Sequence, residues 1–168
     1  IEARARVSLI ERHLGPDSTA HSLNSALNLA IDAEAGIEHY RLQQTGASAT
    51  WNDTLSATVA AGASYGLYCV GLGAQSARST LQIKLAGERA QLALHAVNVA
   101  DLNQAHETSA LIEHAAANTR TEENFRGIAG GQARVAFNGK IVVRETAHGT
   151  DSRQSLRSCH SLLPWEQS

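Results

Sequence analysis

The chain has 168 residues, with 14 Lys and Arg against 16 Asp and Glu, a formal net charge of −2, and only 4% aromatic residues. Such a length makes one domain with room for a continuous core. The basic residues are scattered, with no Lys/Arg run carrying interleaved aromatics, which excludes a nucleic-acid surface; apolar stretches far below the ~20 residues of a membrane helix exclude a helical span. Cys69 and Cys159 lie far apart, without CxxC or Cys/His ligand spacing, which reads as a reduced, cytoplasmic chain. There is no Met and position 1 is Ile, so the chain is expected to be a segment of a longer protein.

Residues 1–10 are already strand-like. Leu27, Leu29, Ile31, Ala33, Ala35 and Ile37 then alternate with Asn28, Ala30, Asp32, Glu34, Gly36 and Glu38. A period of two puts one set of side chains on one face of a strand. An Ala-rich helix over residues 22–34 is the competing reading, but it needs apolar residues at i, i+3, i+4 and i+7. A second copy follows with Leu55, Ala57, Val59, Ala61, Ala63 and Tyr65, and a third with Leu81, Ile83, Leu85, Ala90, Leu92 and Leu94. Polar clusters at 43–49, 71–79, 101–107 and 119–124 read as turns, and Gly87-Glu88-Arg89 as a bend where the repeat spacing changes. Over residues 133–143, Asn138-Gly139 sits between Val135, Phe137, Ile141 and Val143. That pattern is either a hairpin or a tight corner between successive coils.

A pattern repeating about every 27 residues is the signature of an all-β solenoid. A single coil cannot stand alone: about six inward side chains supply ~1.5–3 kcal/mol each, against roughly 30–50 kcal/mol for ordering its backbone. Stacked coils share ladder hydrogen bonds and bury each other's apolar rows. Ala33, Ala35, Ala61, Ala63 and Ala90 are expected to point into a narrow interior.

Candidate chemistry is sparse. His106 and His114 share a strand face but stand more than about 25 Å apart if the strand is straight; His39 and His95 fall near equivalent positions of different coils. None has the compact spacing of a metal site. Cys159-His160 pairs a thiol with an imidazole, yet neighbours on a strand point to opposite faces, so it reads as a buried Cys beside an exposed His. Gly71-Leu72-Gly73 and Gly127-Ile128-Ala129-Gly130-Gly131 lack the helix a phosphate loop opens and are read as turns. The sequon Asn52-Asp53-Thr54 has no meaning in a cytoplasmic chain.

Residues 119–163 carry a more specific pattern: Thr119-Arg120-Thr121, Phe125-Arg126-Gly127-Ile128, Phe137-Asn138-Gly139-Lys140-Ile141, and Thr150-Asp151 followed by Gln154. Together with Gly87-Glu88-Arg89-Ala90 and Ile112-Glu113-His114, this stretch resembles the core of the SufB/SufD family of the SUF iron–sulfur cluster assembly system, with Phe-Asn-Gly closer to the SufD branch. The resemblance implies a right-handed parallel β-helix that pairs with a SufB-like subunit. It also implies flanking helical regions, lacking here, the C-terminal one docking the SufC ATPase in the full-length protein. Family-motif positions are Phe125, Gly127, Phe137, Asn138, Gly139, Thr150, Asp151 and Gln154. The family's Cys-x-His-Gly stretch lies beyond Leu163, so no catalytic, cofactor-binding or metal residue carries over. The iron–sulfur cluster is then the product of the complex, with no cofactor held by this segment.

The expectation is a scaffold component without catalysis, self-pairing into a homodimer being one use of its open ends. The alternative is a carbohydrate-active parallel β-helix lyase or hydrolase. That activity needs paired carboxylates in an outer groove, whereas the outward positions Asp32, Glu34, Glu38, Ser56, Thr58 and Lys84 mix signs and small groups.

Overall fold

The computed structural model describes residues 1–17 and 19–161. Eleven strands follow one another: β1 (Arg6–Leu14), β2 (Ser22–Ile31), β3 (Gly36–Thr45), β4 (Thr50–Val59), β5 (Ser64–Gly73), β6 (Ser76–Leu85), β7 (Gln91–Ala100), β8 (Ala105–His114), β9 (Arg120–Gly130), β10 (Arg134–Val143) and β11 (Asp151–Ser161). The odd strands form one sheet in the order β1-β3-β5-β7-β9-β11, the even strands a second in the order β10-β8-β6-β4-β2. Every pairing is parallel. Each coil is therefore two strands and two corners, and about five coils stack into a β-solenoid.

Register offsets between stacked strands run from 26 residues (Thr50 to Ser76) to 31 (Arg120 to Asp151), so the coil is a little longer than the sequence repeat suggests. The sequence pattern also hides the corners. Alternation from Leu27 to Ile37 is two strands, β2 and β3, joined at Asp32, Ala33, Glu34 and Ala35. A corner of four residues preserves the parity of the alternation, so Ile31, Ala35 and Ile37 all face inward while Ala33 lies exposed on the corner. Val59, Ala63 and Tyr65 repeat this arrangement, with Ala61 exposed. Ala35, Ala63 and Ala90 are fully buried; Ala33 and Ala61 are not the interior residues that the pattern suggests. Gly87 adds a fifth residue to the next corner, which is where the offset rises from 26 (Thr50 to Ser76) to 27 (Ser64 to Gln91).

These corners share one backbone shape. Arg4, Glu34, Gly62, Arg89, Asn118 and Gly149 each stand two residues before an odd strand and each has φ between 58° and 70°. In four corners the turn closes by an i→i+3 bond: the Ala5, Ala35, Ala63 and Ala90 amides donate to the Glu2, Asp32, Ala60 and Gly87 carbonyls at 3.1–3.2 Å. A positive φ at the third position alone is the type II arrangement. The left-handed residue then donates to the next coil: Glu34 to Ala61, Gly62 to Glu88, Arg89 to Ala117 and Asn118 to His148, at 2.7–3.1 Å. The intercoil ladder thus runs through the corner without a break.

Other sequence turns shift for the same reason. Gln43, Gln44 and Thr45 end β3, Gly71 lies within β5, Ser76 opens β6, Ala105 opens β8 and Arg120 opens β9. β1 starts only at Arg6. Asn138-Gly139 is neither hairpin nor corner: both residues lie inside β10, opposite Ser109 and Ala110 of β8. Parallel pairing with β8 outcompetes the local turn preference because ten residues of ladder depend on it.

The apolar core fills the half of the interior next to the corners just described, around Ile37, Leu55, Tyr65, Leu81, Ile83 and Leu94. Alanines line its narrow edge. Two substitutions test the corner. Gly62→Ala places a Cβ at a positive φ and is expected to lower unfolding free energy by about 1 kcal/mol; Ala63→Leu, pushed into a fully occupied site, by about 1–3 kcal/mol. Both are read from urea midpoints.

Candidate functional site

The other half of the interior is polar. Inward positions of β1, β3 and β4 there carry Glu11, His13, His39, Arg41, Gln43 and Asp53. Arg41 is 5% exposed and grips two carboxylates at once. Its Nη1 and Nη2 donate to Asp53 at 2.6 and 3.0 Å, and its Nε and Nη2 donate to Glu11 at 2.8 and 3.1 Å. Two-pronged geometry of this kind gives the strongest hydrogen bonds a guanidinium makes. Asp53 also accepts from the Ser25 hydroxyl at 2.5 Å. Glu11 meets the Nε2 atoms of His39 and His13, each at 3.0 Å, and His39 Nδ1 lies 3.0 Å from the Tyr65 hydroxyl.

Titration follows from these contacts. Burial raises the Glu11 pKa, but the Arg41 hydrogen bonds and charge, helped by His13 and His39, outweigh it and hold the carboxyl at about 2. Burial pushes His39 down, opposed by its bond to Glu11. A neutral His39 donating to Glu11 through Nε2 accepts the Tyr65 proton at Nδ1, which satisfies all three groups. Burial also raises the partly buried Cys69 thiol, to about 12, so it stays protonated near neutrality.

Further along, His114 bridges Thr119 and Thr121 through its two ring nitrogens at 2.8 and 3.1 Å. Burial again lowers its pKa. His106 and His114 do lie on the inward face of one strand, β8. His39 and His95 do not match: His39 aligns with Leu67 and Leu94 on the inside, and His95 with Tyr68 and Tyr40 on the outside. There Tyr40, Tyr68 and His95 stack at centroid distances of 5.0 and 5.4 Å. Among the described residues no three His, Cys, Asp or Glu side chains converge as a metal site would require.

The family-motif positions separate into two groups. Phe125, Gly127, Phe137, Gly139 and Gln154 meet in the last coils. Phe125 and Phe137 stack with centroids 4.6 Å apart. A Cβ at Gly127 would press on Val135 Cγ1 at 3.0 Å, and one at Gly139 would collide with the Gln154 amide. The space at Gly139 lets Gln154 Nε2 reach the buried Glu123 carboxylate at 2.7 Å. Burial raises the Glu123 pKa, against that hydrogen bond. Asn138 and Asp151 are exposed on the surface, the latter within 3.8 Å of Arg120 and 3.6 Å of Arg153. Thr150 sits at a corner, its hydroxyl 3.2 Å from that of Thr119.

Cys159 and His160 occupy adjacent positions of β11, opposite Ile128 and Ala129. Both are exposed, so the expectation of a buried thiol is corrected: β11 ends its sheet and no further coil covers it among the described residues. Of the glycine runs, residues 71–73 and 127–130 are strand; only the residues after them, from Ala74 and from Gly131, turn. The Glu11–Arg41–Asp53 cluster follows no sequence motif. Its signal is charge at the inward phase of the alternation, one coil apart at Glu11 and Arg41.

Stacked parallel rungs, with their most specific residues spent on packing the final coils, define a β-solenoid core domain. The family model for "SUF system FeS cluster assembly, SufBD core domain" matches residues 1–163, and the chain belongs to that family. No curated protein matches it in sequence.

Arg41→Met leaves the buried Asp53 and the half-buried Glu11 without their counter-charge and is expected to cost about 3–5 kcal/mol, read by chemical denaturation. The pH dependence has a defined sign. Because the folded-state pKa of Glu11 is depressed from 4.5 to about 2, its contribution is complete above about pH 4.5 and disappears as pH falls through about 2. Urea midpoints from pH 6 down to pH 2 follow that loss, and in Glu11→Gln this component is absent.

Proposed function

We propose that this chain is a non-catalytic scaffold component of a cytoplasmic SUF complex, pairing through the end of its solenoid with a SufB-like subunit. The family match over residues 1–163 supports the setting, and the Phe137-Asn138-Gly139 form favours the SufD branch. The observation that carries the pairing is the open end formed by β10 and β11. Among the described residues each strand has one hydrogen-bonded neighbour, β8 or β9, and an edge without a partner strand. Beside those edges Val143 and Leu156 are 53% and 49% exposed. A free parallel edge bordered by apolar side chains is a template for adding another chain's strand.

The outer faces favour a scaffold over a carbohydrate-active enzyme. Charged side chains there neutralise one another between coils: Arg78 with Glu107 at 2.9 Å and Arg144 with Glu113 at 2.8 Å. An acid–base pair flanking a scissile bond needs two carboxyls instead. In this reading the segment holds no cofactor, and docking of the SufC ATPase belongs to the full-length protein.

Co-expression with the SufB-like subunit of the same system tests the reading. Light scattering on the purified material is expected to give a one-to-one complex. Leu156→Arg weakens that complex at least tenfold while circular dichroism of the chain is unchanged. A folded chain that stays apart from the subunit at micromolar concentration, or forms only homodimers beside it, removes the pairing.

A further inference from the structure

Beside the Arg41 cluster the two sheets enclose a cavity of about 30 Å³, with Gln43, Trp51, Cys69, Asn98 and His106 in its wall. Three of these side chains are nine-tenths or more buried, at 3%, 7% and 2% exposure for Gln43, Trp51 and His106. They bring two polar atoms without a protein hydrogen-bond partner, Gln43 Oε1 and Trp51 Nε1, beside a His106 ring whose only protein partners are weak contacts to the Gly73 and Ala74 backbone. An unmade bond at a buried polar atom costs about 1–3 kcal/mol, and roughly 90% or more of such atoms are paired in folded proteins. Together on one cavity, these groups mark a site for a guest.

The wall specifies that guest. Gln43 has already given its amide to the Thr45 hydroxyl at 2.6 Å, and Asn98 has given its amide to Thr108 at 3.0 Å. Arg41 is consumed by Glu11 and Asp53. What remains is Trp51 N–H as a donor and Gln43 Oε1 as an acceptor, beside the His106 ring, the Ser79 hydroxyl and the second N–H of each amide; burial favours the neutral imidazole. A cation would meet the indole N–H with no free carboxylate beside it, and an anion would meet the Gln43 oxygen. The complement is a small neutral molecule that both donates and accepts. One water needs on the order of 10–15 Å³ measured this way, so the cavity takes two.

We propose that the cavity between Gln43, Trp51 and His106 is a resident hydration site holding two water molecules, which bridge the indole N–H, the amide oxygen and the imidazole across three coils. The polar half of the core is then packed by solvent in place of side chains, and the waters belong to the fold as the apolar residues do.

A crystal structure of the chain at a resolution that orders internal solvent is the direct test. Two density peaks within hydrogen-bond distance of Trp51 Nε1, Gln43 Oε1 and the His106 ring are expected, unchanged after halide or caesium soaks. In solution, water-oxygen relaxation dispersion is expected to lose one or two long-lived waters between the wild type and Gln43→Leu. A cavity without density that takes up xenon under pressure overturns the proposal, as does a peak that halide or caesium replaces. Identical long-lived water counts in wild type and a folded Gln43→Leu variant also overturn it.

Discussion

Everything in this molecule depends on the hydrogen-bond ladder that joins each coil to the next and does not stop at the bends. In most sheets the ladder ends where the chain turns, and the turn is left to solvent or side chains. Here the left-handed residue of the corners that lead into β1, β3, β5, β7 and β9 donates to the coil above, from Arg4 to Ala33 and onward to Asn118 and His148. That bond needs the same backbone shape at the same height in every coil, which is why a positive φ recurs at Arg4, Glu34, Gly62, Arg89, Asn118 and Gly149. Three of these six are long charged side chains that accept an unfavourable conformation, so the ladder outweighs the local steric cost of about 1–2 kcal/mol each.

Stacking in register also explains how one interior is apolar on one side and ionic on the other. Side chains at equivalent heights form columns, and each column can hold its own chemistry as long as its members satisfy one another. Leu27, Leu55 and Leu81 share a column; Glu11, Arg41 and Cys69 share another. Replacing a buried ion cluster by apolar residues is often neutral or stabilising, so burial alone is no reason for it. Its geometric content is specificity: a fork that must meet Glu11 from one coil and Asp53 from the facing sheet tolerates no slippage between them. The last coils achieve the same end differently, with Gly139 making room for Gln154 and Gln154 holding Glu123.

Much of this architecture was legible in the sequence because alternation and repeat length are direct consequences of strand geometry and stacking. Corners were less legible. Four residues of bend keep the parity of the pattern, so residues Leu27 to Ile37 look like one strand although they are two. Polar residues such as Gln43 and Arg120 looked like turns, yet one packs inside the solenoid and the other opens a strand. The Asn138-Gly139 pair shows the limit of local chemistry: its turn preference is real, but pairing with β8 along ten residues overrides it. The motif residues Phe125, Phe137, Gly139 and Gln154 were found by resemblance, and their proximity only by the fold. The ionic cluster had no motif to betray it, because its partners come from three strands and meet only once the coils are stacked.

The unequal coil lengths have a practical corollary. Offsets differ by up to five residues between coils, yet the strands remain about ten residues long, so length variation is absorbed at the bends. Residues 144–150, joining β10 to β11, already form a largely exposed bend of seven residues, against two to five at the corners between β2 and β10. Foreign peptide spliced there would project from the side of the stack and leave the rungs in phase, whereas a single residue added inside a strand would turn the face of the residues after it in that strand. The solenoid is in this sense a carrier with built-in attachment points along one flank.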